Sequence, residues 1–274
     1  MKLNTLDEFL STLSSPRTFI RYRAALKEFS TWYQQANDSE PEWELLTTIE
    51  VKDYITFLQA VRRLSPASIN VRLAAIWSLL KTIGRNLHIK GPKQVVSPIN
   101  TLTPRELGRL LTVSEGNPRD FAILNLMSRA GLRVGEVTDL HCQDVELNKR
   151  SGWLTIYASK GNKSRKVPMN SETRQALQAW LELRPASVSQ TVFLSHSGLP
   201  LNARDMQRLV SVYARRIGVK ATPHTLRHTF ATRAVEKGVD LATLQVILGH
   251  SRLETTGRYL HPTAQRMQDA VEGL

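Results

Sequence analysis

The sequence predicts a mainly α protein in two parts: a wholly helical first part, and an α+β second part with a small β-hairpin or sheet. Three observations predict it. Apolar residues recur at helical spacing through residues 1–88 and again after residue 101. A tract with no period separates the two runs. Only one segment alternates like a strand, turns and alternates again. At 274 residues the chain exceeds the usual single-domain size, so each part can bury a core of its own.

In the first part, Phe19, Tyr22, Leu26, Phe29 and Tyr33 mark one apolar stripe, and Val51, Tyr54, Ile55, Leu58 and Val61 mark a second. A third stripe, Ile69, Leu73, Ile76, Trp77, Leu80 and Ile83, is opened by Ser65 as a cap and Pro66 at the first helical position. Aromatic residues at helical spacing read as core rather than as a platform for stacking bases. Residues 88–100, HIKGPKQVVSPIN, hold a glycine and two prolines without helical or strand period. They predict a linker over 89–100 between domains at 1–88 and 101–274.

The second part restarts with TPRE, 103–106, a capping box with proline at the first helical position. Trp153 to Tyr157 alternates like a strand, and Gly161 and Asn162 form a tight-turn pair before a second short strand. The hairpin so formed carries Lys160 and Lys163 near its tip. Residues 191–195, TVFLS, suit an edge strand, and the rest returns to helix. At 222–233, TPHTLRHTFATR, Thr222 caps a helix, Pro223 takes its first position, and Leu226 and Phe230 lie four apart on one stripe.

Thirty-seven Lys and Arg against 24 Asp and Glu give a net charge of +13, on a chain with the 41% apolar content of a folded protein. A basic globular surface points to a polyanion. Residues 1–98 carry 13 basic and 9 acidic side chains and the remainder 24 and 15, so the two parts have nets of +4 and +9. Arg17, Arg21, Arg63 and Arg72 are the first part's candidates for backbone phosphates. Cys142 is the only cysteine, which excludes an intramolecular disulfide, suits a reducing compartment and reads as a small buried hydrophobe. Asp7 and Glu8 interrupt the apolar run a signal peptide needs, and no stretch approaches the ~18 apolar residues of a membrane span. A soluble, cytoplasmic protein is expected.

His224, Arg227 and His228 stand at i, i+3 and i+4, crowded on one helix face where their repulsion contributes nothing to folding. An anion or a metal would explain them. A zinc site could use His224 and His228 with His250 or His261 as third ligand. However, Thr225 stands where the glutamate of a zinc-hydrolase helix would be, and Arg227 between the ligands would repel a cation. No carboxylate cluster supports a metal-dependent nuclease. A non-catalytic regulator is the other alternative, because residues 222–250 read as helix, turn at Gly238 and second helix, as in a helix-turn-helix.

Further groups stand in order around that cluster: Arg133 and Glu136 in AGLRVGEV, Lys160 in SKGNKSRKVP, His250 in LGHS and Tyr259 in TTGRYLH. The series Arg, Lys, His-x-x-Arg, His, Tyr resembles the catalytic pattern of the tyrosine recombinases, the phage integrase family, and most of all its short Xer-type members. The resemblance covers residues 100–262 by motif and the first part by architecture. It implies a helical core-binding domain and an α+β catalytic domain that form a clamp on DNA. It implies a site-specific recombinase that cleaves and rejoins DNA through a 3′-phosphotyrosine, in integration, excision or resolution.

By that resemblance Tyr259 is the nucleophile, and Arg133 and Arg227 hold the non-bridging phosphate oxygens, for which a planar guanidinium fork is suited. Lys160, with Lys163 as competitor, is the general acid for the leaving 5′-oxygen. His224 accepts the tyrosine proton or donates to the phosphate, and His250 adds a hydrogen bond. Glu136 orients a neighbouring cation, and His228 and His261 receive no role. Because the bond energy stays in the phosphotyrosine ester, neither metal nor nucleotide cofactor is implied. The implied partners are double-stranded DNA and, at synapsis, three further copies of the chain in a homotetramer. The first domain begins almost at Met1, so the arm-site domain of larger phage integrases is not expected. Met267 and Val271 predict a short last helix, too short to be stable undocked.

Overall fold

A computed structural model describes residues 4–87, 89–93, 100–157 and 164–249. Lys160, Lys163, the Gly161–Asn162 turn, His250, Tyr259, His261 and the last helix expected lie outside the described residues. The chain divides into two compact units, 1–97 and 98–274.

The first unit holds α1 (Asn4–Ser11), α2 (Pro16–Asn37), α3 (Thr48–Ala60) and α4 (Pro66–Thr82). Its starts follow from local chemistry. Ser15 and Ser65 cap helices whose first residue is proline, and Thr47 and Glu50 close a capping box on α3. The three predicted stripes meet in one core in which Leu26, Phe29, Tyr54, Leu58, Leu73 and Ile76 are wholly buried. Each such side chain contributes about 1.5–3 kcal/mol on leaving water. Phe29 sets its ring edge-on to Tyr54 at 4.9 Å, so the aromatics serve the core.

Three features differ from expectation. α1 is a separate helix that adds Phe9 and Leu10 to the core. Residues 38–47 are not helical, since Asp38 ends α2 at φ 52° and Trp43 and Leu46 fold inward from a loop. Val61, expected on the second stripe, is exposed because the chain leaves α3 there. Part of the periodless tract belongs to this unit as well. Ile89 is buried in its core, and Asn70 Nδ2 donates to the Pro92 carbonyl at 3.1 Å.

The second unit runs α5 (Pro104–Thr112), α6 (Pro118–Arg129), α7 (Val134–Thr138), β1 (Val145–Leu147), β2 (Gly152–Tyr157), β3 (Ser164–Pro168), α8 (Ser171–Leu183), α9 (Ala203–Arg216), α10 (Pro223–Glu236) and α11 (Leu241–Leu248). The TPRE capping box is present: the Thr103 N–H donates to Glu106 Oε2 at 2.8 Å. α6 is the central helix, burying Ile123, Leu124, Leu126 and Met127 against its neighbours. The hairpin is part of a three-stranded antiparallel sheet of order β1-β2-β3, with Glu146 opposite Trp153 and Ile156 opposite Arg165.

Residues 191–195 do not form the expected edge strand. Val192 N donates to the Leu140 carbonyl and Cys142 N to that of Gln190, but the partner segment then turns into a 3-10 helix at Cys142–Asp144. The ladder therefore stops after a single bridge, while Val192, Phe193 and Leu194 are still buried. Cys142 is half-buried at the edge of the core rather than inside it. No helix among the described residues is long and apolar enough to cross a membrane.

Candidate active site

Four helix ends converge in the second unit. α6 stops at Gly131, whose φ of 67° is the left-handed conformation that ends helices, and a Cβ at that position would overlap the Phe230 ring. Arg133 follows as the cap of α7, and its own N–H donates to Glu136 Oε2 at 2.8 Å. α10 begins as expected, with Thr222 accepting from Thr225 N and Pro223 in the first turn, and so presents His224, Arg227 and His228. α11 ends at Gly249, again left-handed at φ 62°.

A helix leaves its last carbonyls without intrahelical donors. In α11 the Gln245 and Val246 carbonyls accept from the Gly249 N–H, and the next three each meet a different arginine. Arg165 Nε donates to the Ile247 carbonyl at 2.8 Å, Arg227 Nη2 to that of Leu248 at 2.6 Å, and Arg133 Nη2 to that of Gly249 at 3.0 Å. Cations there also meet the negative end of the helix dipole. Arg227 further joins α11 to α6, with Nη1 2.6 Å from the Gly131 carbonyl.

Glu136 ties the arginines to one another. Its Oε1 accepts from Arg133 Nη1 at 2.8 Å, and both its oxygens accept from Arg165, at 3.0 and 2.9 Å. Arg227 Nη1 lies 3.8 Å away. Burial pushes the Glu136 carboxyl up, but the Arg165 hydrogen bonds and charge and the Arg133 N–H and guanidinium hold it below its ordinary value. Three guanidiniums against one carboxylate leave the centre with a formal surplus of two positive charges, suited to an anion. Exposure separates the arginines: the Arg133 side chain is 39% exposed, Arg165 13% and Arg227 5%. Arg133 is therefore the one most open to a ligand.

The structure thus brings together Arg133 and Arg227 of the predicted site residues, with Glu136 between them. His224 lies exposed on the first turn of α10, its ring centroid 6.1 Å from that of His228. Lys160, His250 and Tyr259 fall outside the described residues. Arg165 was missed by sequence reasoning, although a signal was available. In β3 it shares a face with Val167, which is wholly buried, so the strand period places a charge on the covered side. α10 and α11 pack through Ala231, Val235, Leu244 and Leu248 about the Gly238 turn, the helix-turn-helix outline noted above. A regulator has no use for the charged centre built at its end.

Residues 100–266 match the phage integrase family, and residues 6–85 match the phage integrase N-terminal SAM-like domain. The chain is 31% identical to tyrosine recombinase XerC of Yersinia pestis, over 96% of this chain and 91% of that one. It is 30% identical to tyrosine recombinase XerA of Pyrococcus horikoshii, over 90% and 92%. Its fold is similar to that of the Tn1549 transposon integrase, with a TM-score of 0.80 at 19% identity over 97% of this chain and 98% of the other. With two such matches spanning both of its units, the chain belongs to the phage integrase family, the tyrosine recombinases.

Proposed function

We propose that this recombinase cleaves and rejoins double-stranded DNA by attack of the Tyr259 hydroxyl on a backbone phosphate, leaving a 3′-phosphotyrosine and a free 5′-hydroxyl. Arg133 and Arg227 hold the non-bridging oxygens, and Lys160 protonates the leaving 5′-oxygen. His224 and His250 supply hydrogen bonds and the proton transfer at Tyr259. The ester conserves the energy of the broken bond, so the resealing step reverses the first without a metal or a nucleotide. Residues 1–88 act as the core-binding domain and residues 101–274 as the catalytic domain. Two DNA sites recombine within a tetramer in the cytoplasm.

The observation that carries this reading is the convergence of Arg133 and Arg227 about Glu136 at the end of α11, immediately before His250 in the chain. Fixed guanidinium donors match the charge that develops on a phosphate in its transition state. Support for DNA as the partner comes from the net charge of +13 and from the Tn1549 integrase, whose structure is a complex with a circular intermediate DNA. The test is a nicked suicide substrate carrying the natural target. Wild-type protein should form a covalent adduct with it, and Tyr259→Phe should bind that DNA without forming one. An adduct of wild-type yield from Tyr259→Phe would remove Tyr259 from the role.

A further inference from the structure

We infer that Arg165 is a positioning residue for the cleavage step: from β3 it fixes Glu136 and the end of α11 in one arrangement, and through Glu136 it sets the Arg133 guanidinium. This rests on the recombinase reading for the identity of the step. The placement of Arg133 can be measured without it.

Arg165 is less open than Arg133. Its side chain is 13% exposed, its Nε is bonded to the Ile247 carbonyl, and its two Nη atoms each bond one oxygen of Glu136. The two-pronged pairing leaves the carboxylate one plane and one rotation. That orientation points Oε1 at Arg133 Nη1 and Oε2 at the Arg133 N–H and towards Arg227 Nη1. Without Arg165 the Glu136 side chain could turn, and Arg133, the most exposed of the three, would regain its rotamer freedom.

The second contact of Arg165 extends the device. By holding the Ile247 carbonyl it anchors α11 one residue before the carbonyl bonded by Arg227 and two before the one bonded by Arg133. The fit is close, since a Cβ on Gly249 would lie 2.7 Å from Arg165 Nη1. Arg165 is also five residues beyond Lys160, so the strand it pins is the one that follows that lysine. A single side chain on β3 thereby references two helix ends and a strand to one carboxylate.

The experiment compares Arg165→Met, which keeps length but removes every donor, and Arg165→Lys with the wild-type chain. Three quantities are read on folded protein: affinity for the target DNA, the rate of adduct formation at saturating DNA, and the nitrogen-15 Nε–Hε resonance of Arg133. In Arg165→Met, affinity should stay within about threefold while the rate falls on the order of 100-fold, the scale of a misplaced reacting group. The Arg133 resonance should shift or broaden. Arg165→Lys should recover part of the rate, because an ammonium can hold one prong of Glu136 but not two. An unchanged Arg133 resonance in folded Arg165→Met would overturn the inference, and so would a rate loss matched by lost affinity. Should Arg165→Met fail to fold, Arg165→Lys is judged by the same two criteria. If the wild-type chain forms no adduct, the recombinase mechanism falls, and the Arg133 resonance alone decides the positioning role.

Discussion

The carbonyl oxygen of Gly131 accepts a hydrogen bond from Arg227 Nη1 at 2.6 Å, a contact that depends on the left-handed turn ending α6. A side chain at that turn would be strained by φ 67° and would also overlap Phe230 of α10, the helix that carries Arg227. The first predicted effect is on stability: Gly131→Ala should cost at least about 2 kcal/mol, adding left-handed strain to displacement of a packed ring. Gly108→Ala is the matched control, since it lies inside α5 with open space around it and should stabilise by about 0.5–1 kcal/mol. Chemical denaturation of both variants measures the difference. Equal effects would mean that the α6 end tolerates a side chain.

Glu136 joins three guanidiniums, so its removal leaves buried cations uncompensated. Glu136→Gln should lower stability at neutral pH by about 3 kcal/mol, the low end of the range for breaking a buried pair. The dependence on pH gives a second readout. The carboxyl is held below its ordinary value in the folded chain. Its contribution is therefore complete above the unfolded value of about 4.3 and is lost as pH falls through the folded value. In melting experiments stepped downward from pH 6, wild-type protein should lose this increment in acid. Glu136→Gln should show a flatter curve, so that the two converge as pH drops.

Arg133 reaches two acceptors at once, Glu136 Oε1 and the Gly249 carbonyl, while leaving 39% of its side chain open. A lysine can satisfy one of these but cannot present a planar fork to phosphate as well. Adduct formation by Arg133→Lys should fall on the order of 100-fold or more, as when one donor to a developing oxyanion is removed. Target affinity should change only a few-fold, because many other phosphate contacts remain. A single-turnover cleavage assay beside a binding titration separates the two. A loss confined to affinity would move Arg133 from the reacting phosphate to ordinary DNA contact.

The helix starts at Ser65, Thr103 and Thr222 were legible in the sequence because caps are local: each accepts from the backbone N–H three residues on, whatever the tertiary context, and Ser15 and Thr47, not read from the sequence, cap α2 and α3 in the same way. The pairing of residues 191–195 was not legible, since strand pattern alone cannot tell that their partner turns away after Cys142. β1 was missed for a related reason, being three residues long and stabilised only by its neighbour. At the site, motif order found Arg133, Glu136 and Arg227, whose surroundings are distinctive. Arg165, within SKGNKSRKVP, is not legible from motif order because its partners, Glu136 and Ile247, are 29 and 82 residues away.

Of the four arginines that the sequence offers as phosphate contacts in the first unit, Arg72 separates from Arg17 and Arg21. Arg72 is committed within the fold: its Nε donates to Glu28 at 2.7 Å and its Nη1 to the Ser68 carbonyl at 3.2 Å, with the side chain 23% exposed. Arg21 lies exposed on α2, as Arg17 does one turn before it. Each phosphate contact on duplex DNA contributes about 0.9 to the slope of log affinity against log salt. Arg21→Ala should therefore flatten that slope by about one while leaving melting unchanged. Arg72→Ala should leave the slope alone and lower the melting temperature by a few degrees, because a partly exposed ion pair contributes up to about 1 kcal/mol in a domain of this size. Affinity measured at four or more salt concentrations, beside thermal melts of the same samples, checks both. A slope change in Arg72→Ala equal to that in Arg21→Ala would mean that Arg72 leaves Glu28 when DNA binds.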